Sequence, residues 1–251
     1  MNGLTQKERY NMEDLLEIVA LLRDPENGCP WDKVQTHTSI RKNFIEETYE
    51  VADAIDLADA SLLCEELGDV LLQVALHTRM EEEQGAFTFG DVCTGICKKL
   101  IFRHPHVFGE VSVSGTGEVL SNWEELKRKE KGQATNTDAL EAVARSLPAL
   151  WRAEKVQKKA KKAGFDWPDV SGALDKLSEE LEDLKTAVAE GTNVEEELGD
   201  LLFSAVNVSR FVKVDTEEAL NRATDKFIGR FRKVEEEAAR QGRALEGMSL
   251  A

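Results

Sequence analysis

A pattern of acidic residues occurs twice along the chain in the same order, and this repeat limits the possible folds more than any other feature. Residues 46–50 (EETYE) are echoed by residues 179–183 (EELED), and residues 65–72 (EELGDVLL) by residues 196–203 (EELGDLLF). A Lys-x-x-x-Arg pair then follows in each half. Three ordered matches indicate that one structural unit has been duplicated.

The residue usage favours helices throughout the chain. Only 5 prolines and 6% aromatic residues occur among 251 residues, while Ala, Leu, Glu and Lys recur with helical spacing. The sequence therefore predicts an all-α fold with two repeated helical-bundle domains, residues 1–132 and 138–251, linked by a polar segment. We expect helices near residues 11–23, 40–58, 60–83, 89–102, 118–131, 138–162, 171–190, 194–213 and 216–240.

The repeated acids have the spacing of side chains that share a helix face. Glu47 and Glu50 are three residues apart, which places them about 4.5 Å apart along a helix axis, and Glu66 and Asp69 repeat that spacing on the next helix. The first pair can equally form the solvated face of its helix. The second helix is apolar nearly all round, so Glu66 and Asp69 are expected at or near the core.

Buried carboxylates need cations, because an unpaired buried charge costs several kcal/mol. Four carboxylates from two adjacent antiparallel helices form an oxygen-only cluster that suits Mg²⁺ or Mn²⁺. The alternative is that Lys or Arg residues of neighbouring helices pair with the acids, which leaves a site without chemistry. A di-iron site is excluded, because none of the four histidines has an acid three residues before it.

A carboxylate-bound Mg²⁺ keeps positions open for water and for phosphate oxygens. The favoured substrate is therefore a phosphate ester or anhydride. Lys99 with Arg103, and Lys226 with Arg230, are spaced to present two cations from one helix face to such phosphates. Taken alone, this spacing is more typical of an exposed surface pair.

The composition excludes several other classes of protein. A formal net charge of −16 argues against nucleic acid or an anionic membrane as the main partner. No signal-peptide region and no stretch near the roughly 20 apolar residues of a membrane span occurs, so a cytoplasmic protein is expected. The four cysteines have neither disulfide-framework nor zinc-ribbon spacing and are expected as reduced thiols.

With these acids the chain resembles the MazG type of all-α nucleoside triphosphate pyrophosphohydrolase, whose motif is EExxE followed by ExxD. The resemblance covers nearly the whole chain. It extends to residues 22–32 (LRDPENGCPWD), 103–108 (RHPHVF), 146–150 (SLPAL) and 164–167 (GFDW).

The resemblance implies a homodimer that hydrolyses nucleoside triphosphates to a monophosphate and pyrophosphate with Mg²⁺ or Mn²⁺. Glu46 and Glu179 would orient or deprotonate the attacking water, and the four cations named above would contact phosphates. The implied metal ligands are Glu47, Glu50, Glu66 and Asp69 in the first half, and Glu180, Asp183, Glu197 and Asp200 in the second.

Two departures from the family pattern concern the second site. Asp183 stands where the motif has Glu, and the tail, residues 247–251, is shorter than one that folds over a nucleotide. Two metal-competent sites of unequal strength are therefore expected. Trp31 and Trp167 are expected as core anchors rather than base-stacking platforms. Two rival functions stay open, a non-catalytic helical module that senses metal or nucleotide and a purely structural scaffold.

Overall fold

The computed structural model describes residues 7–130 and 132–245. Over these residues the chain forms eleven α-helices, one short 3-10 turn and no strand, which confirms the all-α prediction. The chain folds as two units, Met1–Trp123 and Glu124–Ala251, and the division falls within one helix. The domain bounds expected from the sequence, 1–132 and 138–251, stay a prediction. No helix within the described ranges is long and apolar enough to cross a membrane. The expectation for the tail concerns residues 247–251, outside the described part of the chain.

The first unit begins its helices where the sequence supplies capping side chains. Asn11 and Thr88 each accept a hydrogen bond from the backbone N–H three residues on, and Asp59 accepts from two backbone N–H groups. These bonds satisfy donors that the first helical turn leaves unpaired. The elements are α1 (Met12–Leu22), a 3-10 turn (Asp32–Val34), α2 (Arg41–Asp56), α3 (Ala60–Glu83), α4 (Phe89–Arg103), α5 (Pro105–Phe108) and α6 (Thr116–Glu130).

The second unit repeats the helical architecture but differs from the sequence prediction at one point. The single helix expected over residues 138–162 is wrong, because the chain leaves the helix after residue 141 and re-enters it after Pro148. A proline lacks the N–H that a helix interior requires and disfavours helix in the preceding residue. The helices are α7 (Asn136–Glu141), α8 (Ala149–Lys162), α9 (Val170–Glu190), α10 (Val194–Phe211) and α11 (Thr216–Arg240).

Each copy of the acidic repeat folds as a helical hairpin. Three residues connect α2 to α3, and Ala58 among them has φ 53°. Three residues also connect α9 to α10, where Gly191 has φ 69° and Asn193 has φ 54°. Left-handed residues reverse the chain sharply, so the two helices of each hairpin run antiparallel and pack along each other. Both EExxE segments therefore face an ExxD segment.

The core of the first unit lies at the far end of α3 from its acids. Val19 of α1 and Ile40 pack against Ala75, Leu76 and Met80 of α3. The expectation that Glu66 and Asp69 lie at or near the core is wrong: both are half-buried and outside it, Leu67 beside them is 51% exposed, and Leu198 at the matching position of α10 is 46% exposed. Periodicity identifies a helix that is apolar on nearly every side, but it does not show whether the rest of that unit packs against each side. Here each unit leaves its leucine exposed.

The two tryptophans expected as core anchors are also more exposed than predicted. Trp31 is 56% exposed and Trp167 is 45% exposed. Each lies in a loop that precedes an acidic hairpin, after α1 in the first unit and after α8 in the second. Both tryptophans therefore lie in loops as partly exposed side chains and do not anchor a core.

Candidate metal site

The first hairpin gathers three carboxylates. Glu47 on α2 and Glu66 and Asp69 on α3 each offer one oxygen atom, and these atoms all lie within 4.8 Å of one another. All three side chains are half-buried. The i, i+3 spacing on each helix and the antiparallel packing of the hairpin produce this convergence.

The electrostatics of the first cluster favour a cation. Partial burial raises the pKa of Glu47, and the charge of Asp69 and a hydrogen bond with the Glu50 carboxyl raise it further. The pKa of Glu66 is raised by burial and then by the charges of Glu50, Glu65 and Asp69. Carboxylates crowded in this way repel one another, and a proton or a metal ion relieves the repulsion.

The second hairpin also gathers three carboxylates, but two come from the EExxE segment and one from the ExxD segment, the reverse of the first cluster. Glu180 and Asp183 on α9 and Glu197 on α10 each offer an oxygen atom, again within 4.8 Å of one another. Glu180 is buried, whereas Asp183 is exposed. Burial raises the pKa of Glu197, followed by the charges of Asp183 and Glu180. The second cluster therefore also crowds carboxylates whose charges repel one another.

Lys176 distinguishes the second cluster and was not predicted from the sequence. Its Nζ lies 2.7 Å from Glu180 Oε1 and 2.7 Å from Glu179 Oε1. Hydrogen bonds to Glu179 and then to Glu180 hold the pKa of Lys176 well above its usual range. The signal available in the sequence was a lysine four residues before a motif glutamate. Asn43 occupies the matching position of the first repeat.

The donor set fits a hard divalent cation. Each cluster presents only carboxylate oxygens, which suits Mg²⁺ or Mn²⁺ and not a metal that prefers nitrogen or sulfur. Glu50 and Asp200 lie outside the two groups of three but close to them. Glu50 hydrogen-bonds Glu47, and the charge of Asp200 contributes to the raised pKa of Glu197.

The remaining predicted residues lie on the same hairpins or on other helices. Glu46 and Glu179 are exposed on α2 and α9, each directly before a cluster residue. The cations lie on α4 in the first unit and on α11 in the second. Their phosphate-binding role stays a prediction. Lys99, Lys226 and Arg230 are exposed, and Arg103 is buried.

The sequence of this chain is similar to those of known proteins over both acidic hairpins. The MazG nucleotide pyrophosphohydrolase domain matches the chain over residues 35–108 and 169–235, so each hairpin lies in one matched segment. The nucleoside triphosphate pyrophosphohydrolase of Escherichia coli strain K12 is 45% identical over 243 residues, 95% of this chain and 92% of the relative. The Thermotoga maritima nucleoside triphosphate pyrophosphohydrolase/pyrophosphatase MazG is 46% identical over 238 residues, 95% of this chain and 91% of the relative. The uncharacterised protein YabN of Bacillus subtilis is 49% identical over 236 residues, 93% of this chain and 48% of its own length.

Proposed function

Because this chain belongs to the MazG nucleotide pyrophosphohydrolase family, we propose that it hydrolyses nucleoside triphosphates between the α and β phosphates. The products are a nucleoside monophosphate and pyrophosphate. The observation that carries the proposal is the pair of helical hairpins that each bring three carboxylate oxygens within 4.8 Å. An all-oxygen cluster of this kind suits a divalent cation. Such a cation neutralises the charge on the phosphates when a phosphoanhydride is hydrolysed.

The cofactor proposed is Mg²⁺, with Mn²⁺ as a substitute. When bound, the metal polarises the phosphoryl group and lowers the pKa of a bound water. The proposed ligands include the one acid just outside each group of three, Glu50 in the first unit and Asp200 in the second, because each interacts with a member of its group. They are Glu47, Glu50, Glu66 and Asp69 in the first unit, and Glu180, Asp183, Glu197 and Asp200 in the second.

The other proposed roles belong to residues beside the clusters. The carboxylates of Glu46 and Glu179 orient the attacking water and accept its proton, since each is exposed and directly precedes a cluster residue. Lys176 adds a cation at the edge of the second cluster. The phosphates are contacted by Lys99 and Arg103 in the first unit and by Lys226 and Arg230 in the second.

We also propose that the chain is a homodimer. On α4, Leu100, Ile101 and Phe102 are each about half exposed, and on α11 Phe227 and Ile228 are more than half exposed. Exposed apolar side chains grouped along a helix mark an interaction surface. Leu67, beside the acids of α3, is also half exposed, and a partner subunit can bury it. Light scattering at several protein concentrations tests this directly, and a monomer at all of them contradicts it.

A non-catalytic module that senses metal or nucleotide is the second candidate. The ion pair between Lys176 and Glu180 favours it for the second unit, because a cation already neutralises part of that cluster. Sensing predicts nucleotide binding without turnover.

Product analysis separates the two functions. The chain is incubated with ATP and Mg²⁺, and the nucleotides are resolved by ion-exchange chromatography. AMP and pyrophosphate are expected, with loss of both in excess chelator and recovery with Mn²⁺ but not with Zn²⁺. ADP as the main product, or full hydrolysis in chelator, contradicts the proposal. A substrate panel then identifies the preferred base, and cell fractionation tests the expected cytoplasmic location.

A further inference from the structure

Two histidines and a glutamate form a second polar cluster in the first unit, away from its acidic cluster. His37 belongs to the loop before α2, and His77 and Glu81 lie four residues apart on α3. His77 follows Asp69 by eight residues, which is about 12 Å along the helix axis at 1.5 Å per residue. None of the three side chains has a role in the proposed hydrolysis.

The two imidazole rings meet edge to edge through their Nδ1 atoms. His37 Nδ1 lies 2.7 Å from His77 Nδ1, the ring planes differ by 4°, and the ring centroids are 5.0 Å apart. Rings stacked face to face cannot bring two nitrogens this close, because atoms of stacked rings are in contact at about 3.5 Å. The two Nδ1 atoms therefore point toward each other.

Glu81 fixes the proton on the outer nitrogen of His37. The distance from His37 Nε2 to Glu81 Oε1 is 2.7 Å. A carboxylate only accepts hydrogen bonds, so His37 Nε2 carries a proton and Nδ1 of the neutral ring presents a lone pair. Metal-binding histidines are commonly held in one tautomer by a carboxylate in this way. Within residues 7–130 and 132–245, no lysine or arginine forms an ion pair with Glu81, so its charge can offset that of a bound cation.

His77 supplies the second nitrogen. At a separation of 2.7 Å the two Nδ1 atoms hold one proton between them, so without a cation His77 Nδ1 donates to the lone pair of His37. A neutral imidazole carries its single proton on either nitrogen. Moving the proton of His77 from Nδ1 to Nε2 leaves two lone pairs directed at one place. The Phe44 ring lies 5.6 Å from the His77 ring, centroid to centroid, and limits its rotation.

We propose that His37 and His77 bind a divalent transition metal ion, such as Zn²⁺ or Co²⁺, through their Nδ1 atoms. Imidazole nitrogen suits these ions, whereas carboxylate oxygens suit the Mg²⁺ or Mn²⁺ of the acidic clusters. Two bonds of about 2.0–2.1 Å at a tetrahedral angle place the nitrogens about 3.3 Å apart, so the rings must separate by about 0.6 Å. The His37 side chain lies in a loop and is 42% exposed, which allows this movement. Water completes the coordination.

The bound ion connects the loop before α2 to α3, so it should stabilise the folded first unit by mass action. The inference does not depend on the proposed hydrolysis, because the histidine site shares no residue with the acidic clusters.

Four variants separate the ligands from their surroundings. His37→Gln and His77→Gln each remove one imidazole ligand, and the glutamine at position 37 keeps an N–H donor for the carboxylate. Glu81→Gln leaves both imidazoles and removes only the charge behind His37. His106→Gln is the matched control, because His106 is a half-buried histidine of the same unit outside the cluster. Circular dichroism confirms that each variant folds.

The first experiment titrates Co²⁺ into the full chain carrying Asp69→Asn and Glu197→Gln, which weaken both acidic clusters. Co²⁺ in a four-coordinate site with nitrogen ligands absorbs visible light more strongly than the hydrated ion. A saturable absorption is expected, and Zn²⁺ should displace it. His37→Gln and His77→Gln should each abolish the absorption, Glu81→Gln should weaken the affinity about tenfold, and His106→Gln should leave it unchanged. Absorption that survives the loss of either histidine places the ion elsewhere and overturns the proposal.

The second experiment does not depend on the coordination geometry. In the same background, Zn²⁺ at about 100 times its Kd should raise the midpoint of thermal unfolding by about 5 °C. The rise should be lost in His37→Gln and kept in His106→Gln. No rise with Zn²⁺, or an equal rise in these two variants, shows that the histidines are only a hydrogen-bonded pair and overturns the proposal.

Discussion

Lys176 Nζ lies 2.7 Å from Glu180 Oε1, so the second acidic cluster contains a cation of its own. Asn43 stands at the matching position of the first repeat. The two clusters therefore differ by one full positive charge although their acids are nearly the same. A metal ion that enters the second cluster competes with Lys176 for the Glu180 carboxylate, whereas among the described residues no lysine or arginine forms an ion pair with Glu47, Glu66 or Asp69.

Replacing Lys176 should make the second cluster more responsive to metal. In chelator, Lys176→Met leaves the acids of the second cluster to repel one another, so the midpoint of thermal unfolding should fall. Because no lysine then competes, the rise of that midpoint with Mg²⁺ should exceed the rise in wild type. Differential scanning calorimetry across a Mg²⁺ series measures both effects.

The reciprocal variant is the control. Asn43→Lys places a cation four residues before Glu47 on α2, at the position of Lys176 relative to Glu180, and should reduce the stabilisation by Mg²⁺. If both variants show the wild-type response to Mg²⁺, charge at this position does not control metal binding.

Acid should remove the stabilisation that Glu83 provides to the loop before α2. Arg23 is nearly buried and donates to both Glu83 oxygens and to the backbone oxygen of Asp32. The hydrogen bonds from Arg23 hold the pKa of Glu83 below its usual range. The folded pKa is thus lower than the unfolded one, so this stabilisation is complete above about pH 4.3 and is lost as pH falls through the folded pKa.

The pH dependence of a Glu83→Gln variant checks this sign. At pH 7 the substitution should lower the free energy of unfolding by about 1–3 kcal/mol, because it weakens the partners of a buried guanidinium. The difference from wild type should shrink between about pH 5 and pH 3, where wild type itself loses the charge. Urea unfolding at each pH measures it. Glu17→Gln, at an exposed position on α1, should follow wild type throughout; a constant difference for Glu83→Gln would show that the ion pair is not its cause.

Gly28 is required by a close approach of the backbone to itself. A Cβ atom at this position would lie 2.4 Å from the Asp24 oxygen and 2.5 Å from the Leu22 oxygen. Both are backbone atoms, so neither can move without breaking the turn after α1. Gly28→Ala should therefore cost about 1–3 kcal/mol of stability, measured by urea unfolding. Gly95→Ala, inside α4 with nothing within 4 Å of the added atom, should instead be neutral or stabilising by up to about 1 kcal/mol; equal losses at both sites would refute the steric explanation.

The helices and the convergence of the acids could be predicted from the sequence, because both depend on local spacing. An i, i+3 pair on a helix determines which side chains share a face, and a short connection determines that neighbouring helices run antiparallel. Glu47 lies close to Glu66 and Asp69 for these two reasons. Most helix ends lie within a few residues of the predicted ones, since capping residues such as Asp59 and Thr88 mark them, but the break before Pro148 was not predicted.

The features that were missed depend on contacts beyond one helix face. The apolar pattern around the acids of α3 predicted burial. Leu67 is nevertheless half exposed, because the core of the first unit lies around Leu76. The pairing of Lys176 with Glu180 required knowing which of several lysines turns toward the cluster. A cavity of the second unit, lined by Gln157, Phe165 and Phe203 among others, depends on how α8, α10 and the loop before α9 meet, which no periodicity in one segment encodes.

The two clusters should contribute unequally to pyrophosphate release. Asp183 is one methylene shorter than the glutamate of the motif, and Mg²⁺ requires near-ideal geometry at about 2.0–2.1 Å, so we expect the second cluster to bind the ion more weakly. Lys176 adds competition there. Removing one charged oxygen ligand per cluster, with Asp69→Asn or Glu197→Gln, should isolate the other cluster.

With Asp69→Asn, the remaining pyrophosphate release should need about tenfold more Mg²⁺ for half-maximal rate, since the weaker cluster then works alone. With Glu197→Gln, the Mg²⁺ dependence should stay close to that of wild type, and the double variant should lose release at all Mg²⁺ concentrations. Asp56→Asn, at the exposed end of α2, is the control for loss of one acidic charge. Circular dichroism confirms that the helices persist. Wild-type activity in the double variant would show that the carboxylates are not the metal ligands, and complete loss in one single variant would show that the other repeat is only structural or regulatory.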